Sequence, residues 1–420
     1  MQGPFNYKIN ESTMGNINNI YRLRSWLALS FLVYLLATPF SLQAQDSFQE
    51  FKKEHQEGYA TFLENIENGV ASSKEAYQDY HDAYMEEFKK FKKEMKQKWG
   101  DFKERSKKQW VEYKEDGNLR VSADMENGTA KVEVVAESKE EAEQVKEEMP
   151  EKTAKALKSK GTREGFETEK LPNKEVTDEP VLNDQLKKSE DESVDEYAEE
   201  VAEKKTKTKK VEGDDGETRY VVYVDLSLAD DHLQKRARKV EDAVYKFADE
   251  HDLDPALVFA IIHVESYFNP TAASHANAFG LMQLVPSTGG RDAYRRVFNK
   301  DGVPTKEFLF KPNNNIQMGT TYIDLLTTRY FKEVKDAKTR QYLMICAYNT
   351  GAGNVSVAYT DDTNLSEAFS KINNMSPEEN YKHLRKNLEY GEARNYLKKV
   401  TDRRKQYSKW KRKIKENKTN

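Results

Sequence analysis

Asp254-Pro255-Ala256-Leu257-Val258-Phe259-Ala260-Ile261-Ile262-His263-Val264-Glu265-Ser266 is the stretch on which the reading of this chain turns. Asp254 suits an N-cap and Pro255 a first helical residue, and Val258, Ile261 and Ile262 then recur at helical spacing. Glu265 lies seven, four and three residues beyond those three, so it continues the apolar face of a short helix and aims its carboxyl at the core. Burial disfavours the ionised form and raises a carboxyl pKa, as a general acid working near neutral pH requires.

Outward from that helix the chain is helical almost to its end. Candidates run near Leu233 to His251, Pro255 to Ser266, Gly280 to Thr288, Asn314 to Tyr330, Thr339 to Tyr348 and Tyr390 to Val400. Short helices closed by Gly or Pro predict a compact, mainly α domain over 231–407. Upstream, Leu119, Val121, Ala123 and Met125 alternate, Asn127-Gly128 supplies a turn, and Ala130, Val132 and Val134 alternate on the return, which is a β-hairpin. Ser138 with Glu141 signs a helix start, and the alternating strand at 220–228 is suited to the same sheet. The fold class is therefore α+β, with a smaller N-terminal α+β domain over 97–160 preceding the α domain.

Tyr77, Tyr80, Tyr84, Phe88, Phe91, Met95, Trp99 and Phe102 step by about the helical repeat, so the 45–96 region is expected to hold a long amphipathic helix. Its aromatic stripe reads as a packing face before a sugar-stacking or membrane-surface one, because Lys and Glu are mixed on the other faces. The stretch 161–218 is charged and broken by Pro172 and Pro180, and reads as a linker with one solvated helix near 194–204. Between Lys398 and Lys418 there are eleven basic and two acidic residues; the 408–420 tail reads as a solvated helix end, with contact to an anionic polymer as the second reading.

The 420 residues suffice for two or more domains. A net charge of −4 from 68 basic and 72 acidic residues gives no global electrostatic case for nucleic acid or membrane binding. A charged fraction of 33% and a mean hydropathy of −0.93 leave part of the length to solvated helix or linker. The single cysteine, Cys346, excludes an intramolecular disulfide, a multi-cysteine zinc site and an iron–sulfur cluster, and in an apolar run it reads as a small buried hydrophobe. His55, His81, His232, His251, His263, His275 and His383 form no HExxH pair, so no metal and no cofactor is expected. Trp26 to Ala37 is apolar, follows Arg22 and Arg24 and precedes Pro39 and Ala44, the layout of a signal peptide over 1–44. Export to a periplasm is expected, with no transmembrane domain after cleavage; an uncleaved anchor is the alternative, since Leu42 is large for its position.

Three further clusters share the α domain: Gly280-Leu281-Met282-Gln283, read as opening a helix; Ala347-Tyr348-Asn349, ending one just before Gly351; and Tyr396, one turn after Glu392. Each alone passes for a turn, a cap or core packing. With Glu265-Ser266, in this order and spacing, they resemble the lytic murein transglycosylases. That resemblance implies a goose-lysozyme-like catalytic domain acting on peptidoglycan glycan strands. It further implies cleavage of the β-1,4 bond between N-acetylmuramic acid and N-acetylglucosamine. Glu265 is implied as the catalytic acid and then base, with the muramoyl C6 hydroxyl attacking C1 to leave a 1,6-anhydromuramoyl end. Ser266, Gly280, Leu281, Met282, Gln283, Ala347, Tyr348, Asn349 and Tyr396 are implied as substrate-binding, and cell-wall machinery as possible partners. Trp99-Gly100, Lys108 to Tyr113, Arg219 to Val224, Phe308 to Asn315 and Arg394 to Val400 also look like one membrane-bound member. That member is a lipoprotein, and no cysteine stands near Ala44 to be acylated, so lipid attachment is not expected here.

Two carboxylates usually serve glycoside hydrolysis, and only one candidate stands out in this sequence. Asp252 and Asp254 read as turn and cap residues, and Asp292 has no partner identified by spacing. A water-using muramidase of the same fold and a non-catalytic peptidoglycan-binding scaffold are the competing readings.

Overall fold

The computed structural model describes residues 70–71, 74–163, 165–166 and 174–418, and side chains at 77–79, 81–163, 165–166 and 174–409. All of these belong to one compact unit, Ile66–Asn420. The expected signal peptide and the 45–69 part of the expected helix lie outside the described residues.

A short strand β1 (Val70–Ala71) precedes helix α1 (Lys74–Trp99). Strands β2 (Gln109–Lys114), β3 (Leu119–Asp124) and β4 (Thr129–Ala136) lead into α2 (Lys139–Leu157). Then come α3 (Val194–Lys205), β5 (Lys207–Glu212) and β6 (Thr218–Ser227). The five strands form one antiparallel sheet in the order β2-β3-β4-β6-β5. The β3–β4 hairpin pairs Val121 with Val132, and its turn closes on Gly128 (φ 68°) while the Asp124 carboxylate accepts the Glu126 and Asn127 amides.

Side chains alternate across this sheet, and both faces are covered. Trp110, Val132, Val134, Val222 and Val224 pack beneath α2 and α3 with Met149, Leu157, Tyr197 and Val201. Val111, Tyr113, Val135 and Val221 meet the aromatic stripe of α1 at Phe91, Met95 and Trp99. The Trp99 indole donates to the Gly117 carbonyl at 2.9 Å, and the Arg120 guanidinium lies 4.3 Å from its ring. The described part of the stripe thus packs.

The 161–218 stretch departs from the linker reading. Ser193 and Glu196 form a capping box, and Val194, Tyr197, Ala198 and Val201 bury one helical face against the sheet, followed directly by the edge strand β5. Its high charge lies on the opposite face and on β5, whose exposed Lys and Glu side chains guard an unpaired edge.

The helical layer follows. Helices α4 (His232–Lys239), α5 (Glu241–Asp249) and α6 (Pro255–Ser266) come first. Next are α7 (Arg291–Phe298), the strand β7 (Val303–Pro304), which pairs with β1, α8 (Lys306–Phe310) and α9 (Pro312–Leu325). The last are α10 (Ala337–Thr350), α11 (Ala352–Thr360), α12 (Leu365–Asn373), α13 (Pro377–Asn387) and α14 (Gly391–Lys418). Among the described residues no helix is long and apolar enough to cross a membrane. The expected helix at 233–251 breaks at Val240, which leaves helical geometry (φ −106°, ψ 5°) between α4 and α5, and both helices pack into the helical core through Ala237, Val244, Phe247 and Ala248. The helix expected at 280–288 is absent: 280–283 is a tight turn, and a helical turn begins only at Pro286.

Arg236 of α4 joins the layers. Its guanidinium donates to the Tyr267 carbonyl at 2.9 Å, the Gln185 side-chain oxygen at 2.5 Å and the Met125 carbonyl at 2.6 Å. Burial pulls its pKa down to about 10, so it stays charged at neutral pH. Leaving three buried acceptors unpaired costs about 1–3 kcal/mol each. Arg236→Met is therefore expected to destabilise the chain by about 3 kcal/mol or more, measured as a lower denaturation midpoint in urea.

Candidate active site

Helix α6 carries the site from the core outward. Asp254 caps it by accepting the Ala256 amide at 3.0 Å and is held by Arg404 of α14 at 2.7 Å. The helix is buried on nearly every side, beyond the single face expected from spacing; only Pro255 and Val264 are partly open. His263 is a core residue, its Nδ1 3.0 Å from the Tyr407 hydroxyl, and burial lowers its pKa to about 3, so it is neutral. The helix ends in two consecutive left-handed residues, Tyr267 (φ 51°) and Phe268 (φ 60°), an unfavourable backbone for non-glycine residues. The Arg236 contact to the Tyr267 carbonyl and the Tyr267 hydroxyl bond to Glu126 at 2.5 Å hold this end in place.

Glu265 sits one residue before that strained end and is only 3% exposed. Burial raises its pKa, and Glu392 adds to the rise; Lys107 and Tyr396 act in the opposite direction without cancelling it. The Lys107 ammonium lies 3.0 Å from its Oε2 and 3.8 Å from the exposed Glu392 carboxylate. The buried Tyr396 hydroxyl faces the carboxyl and favours its ionised form. Tyr348 of α10 feels the same charge, its pKa raised first by burial and then by Glu265.

The segment from Phe279 to Leu284 forms the neighbouring wall. Phe279 and Leu284 exchange backbone hydrogen bonds at 3.0 and 3.1 Å, so the four residues between them turn tightly, with left-handed Gly280 (φ 76°) and Gln283 (φ 49°). A Cβ on Gly280 would meet the Leu309 carbonyl at 2.2 Å and the Asn315 amide at 2.3 Å. Asn315 fastens the turn by accepting the Met282 amide at 2.7 Å and donating to the Phe279 and Leu309 carbonyls. Gly319 makes room for the Met282 side chain. The Ser266 hydroxyl shares its proton between the Ile262 and Leu281 carbonyls, and the Tyr348 hydroxyl donates to the Met282 carbonyl at 2.8 Å, so α6, the turn and α10 converge.

The structure thus brings Glu265, Ser266, the 280–283 turn, Tyr348 and Tyr396 together. Gln283 spends its amide donors on the Ala272 and Gly280 carbonyls, leaving Oε1 buried and unpaired. Leu281 and Ala347 are core residues, and half-buried Asn349 makes no side-chain hydrogen bond among the described residues. Sequence reading missed Lys107, Asn315 and Gly319. The Asn313-Asn314-Asn315 run after Pro312 was the available sign for the second; nothing in its charged loop singles out Lys107. Cys346 is buried, and burial raises its thiol pKa. Among the described residues no three His, Cys, Asp or Glu side chains are grouped as metal ligands.

Two measurements check this geometry. Gly280→Ala combines a backbone clash with a left-handed residue and is expected to cost about 3 kcal/mol, read by chemical denaturation. Because the folded-state pKa of Glu265 is raised, its ionised form destabilises the native state above the unfolded carboxyl pKa. Glu265→Gln is therefore expected to melt above the parent at neutral pH, with the gap closing as pH falls below the unfolded value of about 4.3.

Residues 242–369 match the family model described as "Transglycosylase SLT domain". The chain is 38% identical over 211 residues to the membrane-bound lytic murein transglycosylase C of Haemophilus ducreyi, covering 50% of this chain and 56% of that one. It is 40% identical over 189 residues to the protein of the same name from Actinobacillus pleuropneumoniae, covering 45% of this chain and 51% of that one. The chain thus spans about half the length of the curated relatives it matches. Among solved structures, the 70 kDa soluble lytic transglycosylase of Escherichia coli aligns at 21% identity over 39% of this chain and 23% of that one, with a TM-score of 0.31. The lytic transglycosylase Slt of Pseudomonas aeruginosa aligns at 23% identity over the same shares, with a TM-score of 0.30. The resemblance to the lytic murein transglycosylases, first read from four short motifs, therefore holds, and the SLT match spans Glu265-Ser266, the 280–283 turn and Ala347-Tyr348-Asn349.

Proposed function

We propose that this chain is a peptidoglycan lytic transglycosylase with a goose-lysozyme-like catalytic domain, and that Glu265 is its acid and then its base. The observation that carries the reading is one deeply buried carboxyl, its proton affinity raised by burial, set among Tyr348, Tyr396 and a glycine-dependent turn. Protonated Glu265 delivers its proton to the bridging oxygen of the β-1,4 bond between N-acetylmuramic acid and N-acetylglucosamine. The resulting carboxylate takes the proton of the muramoyl C6 hydroxyl as that oxygen bonds to C1. The glycosidic bond breaks, the anhydro ring forms, and no water is consumed. Intramolecular attack is worth up to roughly 7–11 kcal/mol when well oriented, which offsets the lack of a second carboxylate of the usual hydrolase pair. The Gln283 Oε1, buried without a partner, and the half-open Asn349 amide supply hydrogen-bonding groups for acetamido or hydroxyl groups of the strand. Ser266 and Tyr348 act through the turn they fasten. The periplasm is the compartment in which this substrate is met.

Digestion of purified sacculi followed by mass spectrometry tests the reading. Anhydromuramoyl ends are expected; reducing muramic ends instead identify a hydrolytic muramidase. Removing an acid–base group costs about 10²–10⁴-fold in rate. Glu265→Gln is expected to fall within or beyond that range, and a variant as fast as the parent sinks the assignment in favour of another catalytic residue.

A further inference from the structure

The described residues contain a cationic contact to Glu265 that lies outside every motif and outside the matched domain. Lys107 belongs to the loop between α1 and β2, part of the sheet layer, and its Nζ reaches the Glu265 Oε2 at 3.0 Å. This loop is tied down on both sides of Lys107. The Ser106 hydroxyl accepts the Lys108 and Gln109 amides at 3.2 and 3.0 Å, and the Lys108 carbonyl accepts the Met125 amide at 2.8 Å. Lys108 pairs with Glu126 and sits 5.4 Å from the Tyr267 ring centre, and Glu126 also accepts the Tyr267 hydroxyl. Tyr267 lies two residues beyond Glu265, so the loop that presents Lys107 is fastened to the very end of the helix that presents the carboxyl.

We propose that Lys107 is a positioning residue of the catalytic centre, holding the Glu265 carboxylate from the sheet side so that both layers build one site. The proposal rests on the reading of Glu265 as the acid and base. An exposed ion pair contributes little, but here one partner is withdrawn from water, the Glu265 side chain being 4% exposed against 32% for Lys107. The ionisable groups facing Glu265 are Lys107 from the loop, Glu392 and Tyr396 from α14, and Tyr348 from α10. Lys107 is the only cation among these, so it stabilises the carboxylate left after proton delivery, the form that must next act as base.

Lys107→Met and Lys107→Gln remove the cation, and Lys107→Arg keeps it. The proton-donating form of Glu265 is lost as pH rises through its pKa, and removing the cation raises that pKa further. The alkaline limb of the cleavage rate is therefore expected to move to higher pH in the Met and Gln variants and to stay near the parent in Arg. The Glu265 carboxyl resonance, assigned by its disappearance in Glu265→Gln and titrated by carbon-13 NMR without substrate, is expected to shift the same way. Neutral variants that melt like the parent with an unmoved titration overturn the proposal. A moved titration in a chain whose cleavage ignores Glu265→Gln supports the pairing while sinking the catalytic reading of Glu265, so the two failures are distinguishable.

Discussion

Withdrawing one carboxyl group from water is the constraint around which the helical layer is organised. Glu265 could be buried only by a helix that is itself apolar on nearly all sides, and α6 meets that need with Leu257, Val258, Phe259, Ile261 and Ile262. A helix so enclosed must end abruptly, and two left-handed residues, Tyr267 and Phe268, end it. Such a backbone persists only where its surroundings over-determine it. Arg236, Glu126 and Lys108, all holding Tyr267, are those surroundings, and all three come from outside the α6 core.

This division of labour gives the sheet layer a structural role in the site. Its five strands bury both faces, one under α2 and α3 and the other under the aromatic stripe of α1. A sheet held on both sides is a stiff platform for the β3–β4 turn, which supplies the Met125 carbonyl to Arg236 and the Glu126 carboxylate to Tyr267. The α1 stripe therefore stabilises, at one remove, the loops that touch the end of α6.

Much of this was legible in the residues. The cap at Asp254, the proline after it and the apolar repeat marked α6, and the Asn127-Gly128 turn marked the hairpin, because each signal is local. The 280–283 turn was read as a helix since its apolar run has no period of its own; the deciding facts are a reciprocal bond from Phe279 to Leu284 and a carbonyl from Leu309, neither visible locally. The 194–205 helix was read as solvated because charge outnumbers its apolar face, and the sheet that covers that face is assembled partly from strands after it in sequence. Ser376-Pro377-Glu378-Glu379 carried a capping box and a first-turn proline for α13 that the reading passed over. Lys107 was illegible: it is one lysine in a chain with 68 basic residues, and only the folded structure sets it against a carboxyl 158 positions away.

On the proposed reading of Glu265 as acid and then base, the carboxyl cannot be committed to either state. Burial alone would commit it to the neutral form, and Glu392 pushes the same way; a close, fully charged clamp would commit it to the ionised form. The site sets these against each other. Burial is the largest influence, while Lys107, a third exposed, and Tyr396 pull back without prevailing. A fully buried lysine would pull harder but would itself be costly to desolvate. A single flexible ammonium, anchored through its loop and left partly in water, is the weaker opponent that such a balance requires.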